Sequence, residues 1–217
     1  MNLNDALSSG ELKGPLEKLQ GYLAMLQLYS GAIKEITTKL EILDEEFQIR
    51  YDHNPIHHIE NRLKSPQSMA AKLLRRNQPL TLASARANLF DIAGVRVVCY
   101  YIEDIYQMEK MLTGQQDIRL LHRRDYIAQP KPNGYRSLHL TLEVPVFLSD
   151  HTEQMPVEVQ IRTIAMDFWA SLEHQLKYKA KVPVPDSLHQ RLRQCADKSA
   201  ALDQEMQDIY RQLKQSR

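Results

Sequence analysis

Between residues 11 and 50, apolar side chains recur at helical spacing (Leu19, Leu23, Leu26, then Ile36, Leu40, Leu43) and turn-forming residues are few. That pattern predicts one or two amphipathic helices. Asp52-His53-Asn54-Pro55 punctuates the end of the zone. From 56 to 182 the period switches back and forth. Strand-like runs cover 58–64, 94–101, 117–123, 135–144 and 156–163, and helical spacing covers 66–76, 102–114 and 164–179. Interleaved in this order, they predict an α/β (α+β) fold: a mixed sheet with helices on its faces. A third zone opens at Pro183 and Pro185, with Asp186 or Ser187 available as a helix cap. Leu188, Leu192, Cys195, Ser199, Leu202, Met206, Ile209 and Leu213 follow at alternating steps of four and three. This heptad seam fits a helix packed on its own domain and a self-association helix equally.

Composition narrows the picture. The 217 residues, 43% of them hydrophobic, suffice for one sizeable core and are few for two catalytic domains. With 28 basic and 27 acidic residues the net charge is +1, so broad nucleic-acid binding is not expected and any anion site must come from local clustering. Cys99 and Cys195 have no metal-ligand spacing and read as reduced thiols. The first residues carry no apolar run, and no stretch of 18 apolar residues occurs, so a soluble cytoplasmic protein is expected. His57 and His58 are adjacent and should point apart, which gives no zinc site.

Neither G-x-x-x-x-G-K-[ST] nor a strand-linked G-x-G-x-x-G is present, and there are only seven glycines. A phosphate cradle would have to be built from side chains. Asn61 to Arg76 holds Arg62, Lys64, Lys72, Arg75 and Arg76 with no acidic residue. These charges repel one another unless an anion joins them, and a polyphosphate suits; a solvated basic face is the plainer reading. In PVEVQIRT, alternation puts Val157, Val159 and Ile161 on one face and Glu158, Gln160 and Arg162 on the other. A carboxylate there could hold magnesium or accept a hydroxyl proton, although a plain strand edge looks the same. YRSLHLTL sets Tyr135, Ser137, His139 and Thr141 on one face, with Tyr135 a stacking plane for a base and His139 a donor for phosphate. The tight turn KPNG just before it brings Lys131 and Asn133 beside Tyr135. Asp91 precedes a buried strand and could bind a metal or simply cap a turn. Reaching one site together with Arg96 requires either that Asp91 lie before the strand or that Gly94 allow a bulge.

Together RLKSPQSMAAKL (62–73), DIAGVRVVCYY (91–101), RDYIAQPKPNGYRSLHL (124–140), VEVQIRT (157–163) and FWASLEHQLKYK (168–179) resemble, in order, the synthetase domain of the RelA/SpoT family. The resemblance spans roughly residues 50 to 180. It implies a nucleotidyltransferase-like mixed sheet of about five strands flanked by helices. It divides the chain into a helical segment (1–50), a synthetase domain (51–182) and a C-terminal oligomerisation helix (183–217). The implied reaction moves pyrophosphate from ATP to the 3′-hydroxyl of GDP, GTP or GMP and releases AMP, with Mg2+ as cofactor. Arg62 and Arg96 match the arginines around adenine; Lys64, Lys72 and Arg75 match phosphate ligands; Asp91 matches a magnesium ligand. Glu158 matches the carboxylate that binds magnesium or acts as base. Tyr135 matches the tyrosine that stacks on guanine, and Lys131, His139, Asn133 and Gln160 match the acceptor site.

The resemblance further implies synthesis without hydrolysis and a homotetramer built through the terminal helices. A toxic relative that modifies the 3′ end of tRNA would use the same residues but needs a basic patch, and single-stranded RNA is a further candidate partner. Some small relatives carry a basic alarmone-binding site on the N-terminal helices. The matching stretch here holds Thr37, Glu41 and Asp44, with His58 and Glu60 further on, so alarmone activation is expected to be absent or weak.

Overall fold

A computed structural model describes residues 13–179 and 185–216. The alternating runs form one five-stranded sheet: β1 Ile56–Leu63, β2 Ala93–Cys99, β3 Arg119–Asp125, β4 Leu138–Phe147 and β5 Thr152–Thr163. Its order is β1-β2-β5-β4-β3; only β2 and β5 run parallel. The helices are α1 Lys13–Arg50, α2 Pro66–Arg75, α3 Leu82–Asn88, α4 Ile102–Thr113, α5 Ile164–Lys179 and α6 Asp186–Gln215.

One sheet face is apolar because period-2 alternation stacks Val95, Val97, Leu138, Leu140, Leu142, Val157, Val159 and Ile161, all essentially inaccessible. The first zone is a single helix. α1 lies on that face through Met25, Tyr29, Ile33, Ile36 and Leu40. Leu19 and Leu23, expected on the buried stripe, are instead more than half exposed. The helix approaches β4 so closely at Gly31 that a Cβ there would lie 2.8 Å from Val146 Cγ1. The opposite face carries the polar members of the same alternation, and it is the one that matters for chemistry.

Four local readings change. His57 is the extra residue of a register shift between Ile56 and His58, and this bulge turns the two rings together, Nδ1 to Nδ1 at 2.7 Å, rather than apart. A short helix absent from the sequence reading, α3, is set by Thr81, whose hydroxyl accepts from the Ser84 backbone N–H. β4 begins at Leu138, so Tyr135 belongs to the preceding turn and not to the strand. α6 starts after Pro185 with no side-chain cap, so neither Asp186 nor Ser187 plays that part, and Pro183 lies outside the described residues.

α6 packs with Ala196, Asp203 and Gln207 inward. Leu202, Met206, Ile209 and Leu213 of the heptad seam face out at 43 to 63% exposure. Buried Asp203 accepts a 2.6 Å hydrogen bond from Thr163 Oγ1, and burial pushes its carboxyl above the ordinary range, against the pull of Thr163 and Arg136. The folded protein therefore holds this proton more tightly than the unfolded chain. Burying the charge costs stability above the folded pKa, and the cost vanishes as pH falls below the unfolded value. Asp203→Asn is expected to melt higher than the parent at about pH 8, with an advantage that shrinks towards pH 4; scanning calorimetry across that range checks it. Among the described residues no helix is long and apolar enough to cross a membrane. Cys99 is buried and Cys195 exposed, both unpaired.

Candidate active site

The register of the sheet assembles the site in two rows. Arg62, Gly94, Glu158 and Thr141 stand side by side across β1, β2, β5 and β4. Next to them run Glu60, Arg96, Gln160 and His139. Because each strand alternates, the side chains of both rows point to the polar face. Glycine at position 94 leaves no side chain between Arg62 and Glu158. The result is a cleft of about 390 Å³ lined by Glu60, Asn61, Arg62, Lys64, Asp91, Gly94, Val95, Arg96, Glu158 and Gln160.

Asp91 precedes β2, so the strand needs no bulge there: its pairing with β1 runs unbroken from Ala93 to Val98. Oδ2 accepts from Lys64 Nζ at 2.8 Å and Lys72 Nζ at 2.6 Å. Lys72 reaches it from α2, which starts at Ser65 because that hydroxyl accepts from the Ser68 N–H and Pro66 fits the first turn. Burial alone would raise the Asp91 carboxyl, but the two lysines hold it below the ordinary carboxylate range. Oδ1 is buried and has no hydrogen-bond partner.

Glu158 sits beside it. Burial again pushes up, yet His139 and Gln160 overcome it and hold the group below its ordinary value, with Asp91 opposing them. Gln160 Nε2 donates to Glu158 Oε2 at 2.7 Å, and His139 Nδ1 faces Oε1 at 3.5 Å. The Tyr135 hydroxyl lies 2.7 Å from His139 Nε2. The Tyr135 ring is flanked by Lys131 Nζ, 4.6 Å from its centroid, and by the Arg162 guanidinium carbon at 5.1 Å. Lys131 also lies 4.4 Å from the Tyr126 centroid. Two ionised carboxylates thus lie between a basic half, on β1 and α2, and an aromatic-cationic half, on β4 and the turn before it.

A family model described as the region found in RelA/SpoT proteins matches residues 61–182. The chain belongs to the RelA/SpoT family. Within it, the chain is 43% identical over 188 residues to the GTP pyrophosphokinase YwaC of Bacillus subtilis, covering 87% of this chain and 90% of that protein. It is 34% identical to the GTP pyrophosphokinase YjbM of the same organism, over 87% and 88%. The crystal structure of small alarmone synthetase 1 from Bacillus subtilis bound to its product pppGpp superposes with a TM-score of 0.83 at 34% identity, over 89% of this chain and 98% of that one.

For this RelA/SpoT chain, the residues singled out from sequence fall into three groups. Arg62, Lys64, Asp91, Arg96, Glu158 and Gln160 line the cleft, and Lys72 joins through Asp91. Lys131, Tyr135 and His139 adjoin it on the far side of Glu158. Two stand apart. Arg75 is exposed, outside the cleft lining and, among the described residues, without an ion pair. Asn133 turns its amide to Glu173 Oε1 at 3.1 Å, while its Oδ1 accepts from the Tyr135 N–H. Arg76 donates to the Asn88 carbonyl, so only part of the basic run faces an anion site. Asp167 completes the site without having been singled out, together with Arg162, which the alternation of PVEVQIRT places on the polar face without giving it a role. Arg162 is 5% exposed.

The turn that carries Tyr135 is held from behind by α6. Gly134 has φ +89°, a left-handed conformation, and a Cβ there would clash with the Ala196 Cβ. Arg193 Nη1 donates to the Pro132 carbonyl at 2.8 Å. Gly134→Ala is expected to cost about 1–3 kcal/mol through strain and overpacking. Urea titration gives the stability.

Proposed function

We propose that this chain is a GTP pyrophosphokinase, an alarmone synthetase that moves the terminal pyrophosphate of ATP onto the 3′-hydroxyl of GDP or GTP and releases AMP. The observation that carries the reading is the pair of ionised carboxylates, Asp91 and Glu158, between a lysine-arginine half and a tyrosine-lysine half. The activities of YwaC and YjbM and the pppGpp product held by the synthetase 1 structure are in keeping with it.

In this reading Arg62 and Arg96 hold the adenine of the donor, and Lys64 and Lys72 take its phosphates. Tyr135 with Lys131 stacks on guanine; His139 and Gln160 border the acceptor, and Asn133 supports the turn through the Tyr135 N–H. The oxygen donors suit a magnesium ion: Asp91 has an orphaned buried Oδ1, and Glu158 is ionised in the same cleft. Asp91 and Glu158 would hold the ion, which when bound draws negative charge from phosphate oxygens. Glu158 accepts the proton of the 3′-hydroxyl as that oxygen forms its bond to the β-phosphorus and the bond to the AMP oxygen breaks. The lysines neutralise the migrating group, and the two halves of the cleft align the reactants.

Incubation with labelled ATP, magnesium and GDP, GTP or GMP separately provides the test. AMP release matched by a 3′-pyrophosphorylated guanine nucleotide, and lost in Tyr135→Ala, is the expected result. No product with any guanine nucleotide overturns the reading. Adding pppGpp to the same assay should leave the rate unchanged. In support, Asp44 on α1 is occupied by Asn54 and Gln48, and Glu41 adds negative charge. Acceleration by pppGpp would refute that expectation. We further propose a homotetramer joined through the outward residues of α6. Leu202→Glu with Met206→Glu should lower the mass found by light scattering; an unchanged mass removes α6 from the interface.

A further inference from the structure

Among the described residues Arg162 is the one buried arginine, and nothing assigned above explains its place. A guanidinium donates and never accepts, so each neighbour it meets must be an acceptor. Nη1 donates to Asp167 Oδ1 at 2.9 Å. Nη2 donates to the Tyr135 hydroxyl at 2.6 Å and to Gln160 Oε1 at 2.9 Å. From these two acceptors the contacts run on to the same group. Gln160 passes to Glu158 Oε2, and Tyr135 passes through His139 to Glu158 Oε1. Arg162 therefore closes a ring whose far side is the central carboxylate.

Asp167, in the first turn of α5, faces the other way as well. Arg96 Nη1 lies 3.3 Å from the same Oδ1 that Arg162 uses, and also 2.9 Å from Glu60 Oε2. One carboxylate oxygen thus serves two guanidiniums from opposite halves of the cleft.

We propose that Arg162 and Asp167 are positioning residues that tie the donor half of the cleft, through Arg96, to the acceptor half, through Tyr135 and Gln160. The proposal rests on the functional reading given above, in which Arg96 faces the donor and Tyr135 the acceptor. When Arg96 turns towards a donor, Asp167 is left to Arg162 alone. The guanidinium is then held more firmly, and with it the Tyr135 hydroxyl. Occupancy of the donor site therefore tightens acceptor binding, and the coupling is reciprocal.

Isothermal titration with GDP, with and without the non-transferable analogue α,β-methylene-ATP, measures the coupling as the ratio of the two affinities. The ratio is expected to fall about fivefold or more from wild type to Asp167→Asn. A purely structural role would lower the melting temperature and both affinities together and leave the ratio where it was. Tyr135→Phe keeps the stacking ring, leaves the Arg162–Asp167 ion pair in place and must also lower the ratio; this arm stands even if Asp167→Asn unfolds. Combined, the two substitutions should fall short of additivity, because they cut one chain of contacts. Arg162→Lys, whose single ammonium cannot meet Asp167, Tyr135 and Gln160 together, should behave like Asp167→Asn. A ratio unchanged in folded Asp167→Asn and in Tyr135→Phe, or strict additivity, overturns the proposal. Wild-type protein that binds neither nucleotide overturns the functional reading itself, and this inference with it.

Discussion

Glu158→Gln is expected to lower turnover by about 10²–10⁴-fold, the range of a lost general base, and to lower the melting temperature modestly, because the ionised carboxylate is favoured by its neighbours in the folded protein. The carboxylate is held ionised by His139 and Gln160 in spite of its burial. An amide in its place takes up no proton, and one of its two ends must present N–H groups to Gln160 Nε2 or to His139, which now donates there. The substitution is nearly isosteric, and Glu158 lies on the polar sheet face, so the core residues Val157 and Val159 keep their packing. Single-turnover release of AMP, read beside a thermal melt, checks both halves of the expectation. A folded variant with wild-type turnover would remove Glu158 from the chemistry.

Asp91→Asn is expected to lower turnover by about 10²–10³-fold, comparable to removing one preorganised electrostatic partner. Lys64 and Lys72 converge on a single oxygen of this carboxylate. An amide oxygen carries no net charge, so the two ammonium groups would repel each other and part. The two lysines, proposed above as phosphate ligands, would lose their spacing as well as their anchor. Kinetics over a magnesium titration separate the effects: a turnover loss that persists at saturating metal reports the lysines, and one that recovers reports the ion. Because Asp91 and Glu158 both sit below the ordinary carboxylate range, neither should impose an acid limb near neutrality. The pH–rate profile should lose activity through them only below about pH 4.

Much of this arrangement is legible in the chain. Alternation in PVEVQIRT, and in LHLTL from Leu138 onward, separates core from cleft. Ambiguity begins where a side chain's partner lies far along the chain. The basic run from Arg62 to Arg76 has no local acid, but Lys64 and Lys72 meet Asp91, 27 and 19 residues away. Asp167 reads as an ordinary acidic residue in a first helical turn, and only the fold sets it between Arg96 and Arg162. The His57–His58 contact depends on one extra residue in an edge strand, which periodicity does not mark. Spacing alone leaves the heptad seam open because α6 has two useful faces, one of small and polar residues turned inward and one apolar and exposed.

The bracing of the Tyr135 turn by α6 also bears on when the protein becomes competent during its own synthesis. The five strands and α5 leave the ribosome before Ala196, Arg193 and the rest of α6 exist outside it, since chains emerge N-terminus first. A nascent chain can pair its sheet and gather Asp91, Glu158 and the lysines while the Gly134 turn still lacks the surface it rests on. In the proposed reading acceptor binding therefore matures last, and chains stalled before α6 emerges would carry the Asp91–Glu158 cleft without a finished Tyr135 turn.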